Sequence, residues 1–219
     1  MLKVLIVGGG TTGFELAKLL LTHDVHVNIL EANKQTCEEI SDQLSAQIFC
    51  GDAKIPHVLE SAGIGTTDVI IAVTESEATN VLVGSLAKIY NIKRILVRVR
   101  DPAYIEACEK LGINEIIDPA TLTAQYILAH LRGLELVEII EKIINSADVI
   151  SFDVTKDSKY HNKHLNEIPI PNGNHLFVII RGNTVIIPEQ TTKLHENDKL
   201  IFMHKKSLKE SISKFFGAD

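Results

Sequence analysis

Apolar residues recur along the chain in two alternating rhythms. Short unbroken runs such as Val4-Leu5-Ile6-Val7 leave no face for water and predict strands buried on both sides of a parallel sheet. Between them the spacing lengthens to three and four, as in Phe14, Leu16, Ala17, Leu20 and Leu21, which predicts a helix with one face on a core. Further strands are predicted at Val25 to Leu30, Ala46 to Cys50, Asp68 to Val73, Arg94 to Val99 and Glu115 to Ile117. Helices are predicted at Pro56 to Ala62 and Ala78 to Tyr90, and from Pro102, a favourable first-turn residue, to the Leu111-Gly112 stop. Strands alternating with helices predict an α/β fold with a Rossmann-like, doubly wound parallel sheet, whose ligand lies across the carboxyl ends of the strands.

The rhythm changes after Arg132-Gly133. Leu134 to Ile144 predicts one more amphipathic helix, and branched residues then dominate between turn signals. Strands are predicted at Val149 to Val154, at Leu176 to Arg181 and Thr184 to Ile187 around a Gly182-Asn183 hairpin turn, and at Lys199 to His204. A last helix is predicted at Ser207 to Phe216, giving a small α+β domain.

Candidate chemistry concentrates at the first strand-to-helix turn, Gly8-x-Gly10-x-x-Gly13. In such a turn the first glycine permits the bend, the second lets a pyrophosphate approach the backbone, and the third lets helix and strand pack closely. Helix N-terminal amides would then face an anion. A glycine turn holding nothing has the same spelling. Glu31 adds weight, because it ends the second strand about 20 residues on, where a carboxylate takes the ribose hydroxyls. No arginine follows Glu31 directly, which favours NAD or an adenosine nucleotide over a 2′-phosphorylated one.

The 219 residues, 45% of them hydrophobic, allow one large domain or a medium and a small one with a real core. No apolar run approaches the ~20 residues of a membrane span. The first strand begins at the N-terminus without a signal-peptide pattern, so a cytoplasmic address is expected. A net charge of -6 argues against nucleic acid as partner. Cys37, Cys50 and Cys108 are odd in number, widely spaced and free of any C-x-x-C, which predicts buried, reduced thiols.

The order of motifs resembles an RCK domain. Cys50-Gly51-Asp52-Ala53, Leu59-Glu60-Ser61-Ala62-Gly63-Ile64, Asp68 to Thr74, Asn80, Ile95-Leu96-Val97-Arg98-Val99 and Leu111 to Pro119 carry the likeness. Leu194 to Leu200 is similar to the companion RCK C-terminal domain, so the resemblance covers essentially the whole chain. It implies residues 1–118 as the nucleotide-binding domain, 119–146 as crossover and linker helices, and 147–219 as the C-terminal domain. The family comprises cytosolic TrkA- and KtrA-type subunits that bind nucleotides and gate a membrane potassium transporter.

By that resemblance Gly8, Gly10, Thr11, Thr12 and Gly13 hold the phosphates of NAD(H), AMP, ADP or ATP. Glu31 and Ala32 take the ribose, and Gly51, Asp52 and Ala53 the adenine. Thr74 and Glu75 border the ligand, and Arg98 faces the pocket from the fifth strand. Plainer roles compete: Asp52 could cap a helix, Arg98 pair with a carboxylate, and Glu75 be a solvated loop charge. Members selective for ATP resemble G-x-G-R-x-G; Thr11 stands at the arginine position, and one hydroxyl cannot neutralise a third phosphate. Ala120 replaces a glutamate that joins a divalent cation in some members, so no such cation is expected. Pro119 to Leu131 would be a crossover helix joining a homodimer through Ile127, Leu128 and Leu131, with dimers assembling into a ring on a TrkH/KtrB-like transporter at the inner membrane face; the alternative is an ordinary seventh helix closing the sheet. Asn162, His164, His175 and Arg181 are polar candidates for a second effector.

An NAD-dependent dehydrogenase is the competing reading of the glycine turn. It requires a tuned proton donor or acceptor beside the nicotinamide. No Tyr-x-x-x-Lys pair occurs, His23 and His26 flank the second strand away from the binding edge, and His57 follows Pro56 in a helix start, so all three read as surface or core histidines. A nucleotide-binding module without a transporter is a third reading.

Overall fold

The structure is a computed structural model that describes residues 1–23 and 25–205. The helix expected at Ser207 to Phe216 lies outside the described residues. The chain divides into two compact units, Met1–Ile127 and Leu128–Asp219.

In the first unit strands and helices alternate: β1 (Lys3–Val7), α1 (Thr11–Leu21), β2 (His26–Glu31), α2 (Lys34–Ser41), β3 (Gln47–Cys50) and α3 (Pro56–Ser61). They are followed by β4 (Val69–Ala72), α4 (Glu77–Ile89), β5 (Arg94–Arg98), α5 (Pro102–Lys110) and β6 (Glu115–Ile117), and α6 (Pro119–Leu131) begins in this unit and ends in the second. The sheet order is β3-β2-β1-β4-β5-β6 with every pairing parallel, as the alternating rhythm predicts. Chain order reverses between β1 and β4, which opens a crevice above their carboxyl ends.

Period-two alternation sends neighbouring strand residues to two different cores. Leu5, Val7, Ile70 and Val97 pack with Leu59, Val83 and Ala87 on one face. Val4, Ile6, Ile29 and Ile71 pack with Ala17 and Ile40 on the other. Each fully buried leucine or isoleucine contributes roughly 1.5–3 kcal/mol, which explains why unbroken apolar runs were required.

Two features depart from the sequence reading. Helix α2 was not predicted, because only Cys37 and Ile40 of its eight residues are buried, too few to set up a rhythm. Its start is fixed by Asn33, whose side chain accepts from the Thr36 amide at 3.1 Å. The expectation of reduced thiols is also corrected for two of the three cysteines, since Cys37 and Cys50 form a disulfide across a Cα–Cα distance of 6.1 Å. Spacing along the chain hides this pairing. It arises because β3 lies beside β2 with Cys50 opposite Glu31, while α2 returns Cys37 to the same place. Cys108 is a buried free thiol, and burial pushes its pKa up.

The second unit holds α7 (Leu136–Ser146) and the strands β7 (Ala147–Asp153), β8 (Asn174–Arg181), β9 (Thr184–Ile186) and β10 (Lys199–Lys205). These form an antiparallel sheet in the order β7-β10-β8-β9. Phe152 and Phe202 meet edge to face at 5.9 Å in its core, with Ile179, Leu194 and Leu200 around them. Asp198 is fully buried and accepts two bonds from the Arg181 guanidinium, at 2.7 and 2.8 Å.

Candidate nucleotide site

The crevice between β1 and β4 is a cavity of about 560 Å³. Its floor is the glycine turn. Gly8 has a φ of +108°, and a Cβ there would stand 2.9 Å from the Thr74 nitrogen, so only glycine serves. A Cβ on Gly13 would fall 1.9 Å from the Gly8 carbonyl oxygen, which locks α1 against the turn. Gly10 has open space where its Cβ would be. That gap faces the cavity, where a ligand's backbone contact would lie.

Helix α1 opens onto the cavity with its polarity uncompensated. Gly10 is its N-cap and offers no side-chain acceptor, and no acidic residue occupies the first turn. Amides at this end have no intrahelical partner and carry partial positive charge, so they attract an anion. The neighbouring helix α4 differs: Ser76 caps it, accepting from the Thr79 amide, and Glu77 sits in its first turn.

One wall is built around Glu31. Its carboxylate accepts from the Gly9 amide at 2.6 Å and the Asn33 amide at 2.7 Å, which fixes it at the end of β2. Across from it Asp52 accepts from the Lys54 amide at 2.9 Å and lies 3.3 Å from the Lys54 ammonium. The Lys54 amide, then the ammonium, holds the Asp52 carboxyl below its usual range. Asp52 thus closes a turn and does not cap α3, whose N-cap is Ile55.

The opposite wall is organised by one buried amide. Asn80, in α4, is fully buried and makes four bonds: it accepts from the Thr74 amide at 3.0 Å and hydroxyl at 2.7 Å, and donates to the Thr74 carbonyl at 3.0 Å and the Arg98 carbonyl at 2.8 Å. The Arg98 guanidinium, facing the cavity, donates to the Thr74 carbonyl at 2.7 Å and not to a carboxylate. Asn80 therefore ties the ends of β4 and β5 together at the ligand edge.

The structure brings Gly8, Gly10, Thr11, Thr12, Glu31, Ala32, Gly51, Asp52, Ala53, Thr74, Glu75 and Arg98 to this one cavity. Gly13 is not among its lining residues; its part is to let α1 press against Gly8. Sequence reasoning missed Asn33, Thr36, Lys54, Ser76 and Thr79, which also line it. Lys54 had a readable signal, being the first cation after the Gly51-Asp52-Ala53 turn. In the second unit Arg181 is engaged by Asp198 and the Lys193 carbonyl, and the His164 ring bonds the Thr191 carbonyl, so these two candidates have structural partners. Asn162 adopts a left-handed turn, and His175 borders a separate, mostly apolar cavity of about 830 Å³.

The family model of the TrkA-N domain matches residues 4–119, and that of the TrkA-C domain matches residues 149–217. The chain belongs to the TrkA-N family, with a TrkA-C domain behind it. The RCK resemblance carried by the motif order is thereby borne out. Among its relatives, the Trk system potassium uptake protein TrkA of Vibrio alginolyticus is 30% identical over 91% of this chain and 44% of its own length. A Trk system potassium uptake protein TrkA homolog from Methanothermobacter thermautotrophicus is 28% identical over 98% of this chain and 99% of its own length. The chain thus spans about half the length of some TrkA relatives and nearly all of another. In fold, the TrkA-N/TrkA-C chain is similar over its full length to 39% of the GsuK channel bound to NAD, with a TM-score of 0.52 at 18% identity. Among the described residues no helix of this TrkA-N/TrkA-C chain is long and apolar enough to cross a membrane.

Proposed function

We propose that this chain is a cytoplasmic regulatory subunit that senses NAD(H) or an adenine nucleotide and gates a membrane potassium transporter of the TrkH/KtrB type. The carrying observation is the cavity itself, in which the uncapped start of α1 opens beside the fixed carboxylate of Glu31. The first suits a pyrophosphate and the second ribose hydroxyls. Gly8, Gly10, Thr11 and Thr12 contact phosphate, Glu31 and Ala32 the ribose, and Gly51, Asp52 and Ala53 the adenine, with Thr74, Glu75 and Arg98 along the far edge. Gly13 acts through packing. The names of the relatives, potassium uptake proteins, support the transporter assignment, and the NAD-bound channel of similar fold supports the ligand class.

The site senses and does not transform. Dehydrogenases commonly place a histidine, lysine or tyrosine beside the nicotinamide; among the described lining residues there is no histidine or tyrosine, and the lysine, Lys54, lies 3.3 Å from the Asp52 carboxylate. Residues 1–118 hold the nucleotide, 119–146 cross to a second copy, and 147–219 form the C-terminal domain. Helix α6 supports the crossover role: none of its residues is buried, and Leu122, Ile127, Leu128 and Leu131 are between 49% and 78% exposed. Apolar side chains on that scale are suited to an interface. Dimers assemble into a ring at the inner face of the membrane, and a nucleotide shifts the ring's shape by its differential affinity for two arrangements.

A thermal-unfolding panel with NADH, NAD, ATP, ADP and AMP at equal concentration tests this. A ligand at about 100 times its dissociation constant adds roughly 2.7 kcal/mol to stability. NAD(H) and AMP are expected to raise the midpoint more than ATP, because Thr11 offers no charge to a third phosphate. No shift with any of the five sinks the proposal.

A further inference from the structure

The disulfide lies against the proposed nucleotide site without lining it. Cys37 follows Thr36, which lines one side of the adenosine end, and Cys50 precedes Gly51, which lines the other. Glu31 sits between them. Its carbonyl accepts from the Gly51 amide at 2.8 Å, and the Cys37 sulfur lies 3.5 Å from the same oxygen. The bond therefore joins the two pieces of chain that flank the ribose carboxylate.

We infer that Cys37 and Cys50 are a reversible thiol/disulfide pair whose redox state sets the affinity of the adenosine end of the site. Three observations carry this. The Cα–Cα distance of 6.1 Å is within the span a disulfide bridges. Cys50 is exposed while Cys37 is only 2% exposed, which separates an attackable sulfur from a sheltered, resolving one. Cys108, the third cysteine, is fully buried elsewhere and does not compete. Disulfides that form in reducing compartments are usually transient and regulatory, which agrees with the cytoplasmic placement proposed above.

The exchange partner is a low-molecular-weight disulfide such as glutathione disulfide. The Cys50 thiolate, having given its proton to solvent, attacks one sulfur of the reagent, and one glutathione thiolate leaves. The Cys37 thiolate then attacks the Cys50 sulfur of the mixed disulfide and expels the second glutathione. Both leaving thiolates are protonated by solvent, so two protein thiols and one disulfide become one protein disulfide and two glutathione thiols. Two electrons pass from the protein pair to the reagent. In the closed form the Thr36 and Gly51 walls are held at a fixed separation. Less ordering then remains for the nucleotide to impose, so the oxidised form binds more tightly. By linkage the nucleotide makes the bond harder to reduce by the same factor.

The coupling rests on the nucleotide reading, and the thiol chemistry does not, so the test has two arms. The full chain is equilibrated with glutathione disulfide or with dithiothreitol, denatured and alkylated, and labels are counted by mass spectrometry. One label is expected after oxidation, on Cys108, and all three cysteines are expected to be labelled after reduction. Three labels after oxidation, or glutathione left on Cys50, overturns the pair. AMP is then titrated into both forms by calorimetry, with about fivefold tighter binding expected for the disulfide form. Equal affinities overturn the coupling while the label count stands. Absence of AMP binding to either form, with NADH and ADP also inert, overturns the nucleotide reading together with the coupling. Cys50→Ala, at an exposed position, is expected to bind AMP as the reduced chain does and to ignore glutathione disulfide; a redox response in that variant refutes the assignment.

Discussion

Replacing Asn80 by alanine tests whether the far wall of the cavity is held by one side chain. The amide makes four hydrogen bonds while fully buried. After truncation the Thr74 hydroxyl keeps the Ser76 carbonyl at 3.1 Å, and the Thr74 carbonyl keeps the Arg98 guanidinium. The Thr74 amide loses the acceptor for its proton, and the Arg98 carbonyl loses the donor it accepts from. A buried polar group without a partner costs about 1–3 kcal/mol, so the variant is expected to lose roughly 3 kcal/mol, on the order of 10 °C in unfolding midpoint. Asn80→Asp separates the chemistry from the loss of volume. It keeps an acceptor for Thr74 but turns an oxygen toward the two carbonyls, which favours the protonated acid. Its folded-state pKa is thereby raised, the native state binds more protons than the unfolded one, and stability relative to the parent rises as pH falls from 7 toward 5. Val83→Ala, buried on the same helix, provides a destabilised reference that leaves the wall alone. Both Asn80 variants are expected to weaken AMP binding and Val83→Ala is not, when all are measured well below their midpoints. A stability loss below about 1 kcal/mol for Asn80→Ala, or equal AMP affinities in all three, refutes the reasoning.

Gly10→Ala and Gly13→Ala separate ligand approach from packing. Gly10 has a φ of -62° and free space at its Cβ, so its variant should lose no more than about 1 kcal/mol, the cost of a poorer N-cap residue, yet lose nucleotide-induced stabilisation. Gly13→Ala must push α1 off the Gly8 carbonyl and is expected to lower the midpoint with or without nucleotide, as circular dichroism melts would show. Asp198→Asn breaks an ion pair whose carboxylate is fully buried and whose Arg181 partner is 33% exposed, so the expected cost is about 2–3 kcal/mol near neutral pH. Burial pushes the Asp198 carboxyl up, but bonds from Arg181 and the His195 amide outweigh it and hold the pKa below its ordinary value. The pair's contribution is therefore complete above about pH 4 and is lost as pH falls through the lower, folded-state value, so parent and variant should converge in acid denaturant titrations. Ile127→Glu with Leu131→Glu is expected to convert a sedimenting dimer into a monomer while leaving the melt of the first unit nearly unchanged.

What could be read from the sequence was whatever one short segment decides by itself. Val4 to Val7 had to be a buried strand because it carries no polar face, and the Gly8, Gly10 and Glu31 spacing was informative because the turn's backbone shape restricts the glycines and the Gly9 and Asn33 amides call for an acceptor at the end of β2. Helix α2 escaped because a helix lying mostly in solvent needs only two inward residues. The Cys37–Cys50 bond depends on the register of β3 against β2, which neither cysteine's neighbours encode. Asn80 stood in view as a polar member of the stripe it shares with Val83, Gly84 and Ala87, a position where an amide must find partners. Which partners it finds, on β4 and β5, follows from the sheet order. Gly13 was read as a phosphate contact and a packing position alike, and only the second is seen.

The contact between Gly13 and the Gly8 carbonyl has a kinetic consequence. A turn pinned by its own helix is already in its binding shape, so a nucleotide need not wait for a loop to order. Association then proceeds at an ordinary rate constant of about 10⁶ M⁻¹s⁻¹, and affinity is set by how fast the ligand leaves. With a dissociation constant on the order of 10 μM, departure takes roughly a tenth of a second. Occupancy would follow the nucleotide pool within that time, so under the proposed function any slower response of a partner transporter would be timed by rearrangement of the assembly and not by the site.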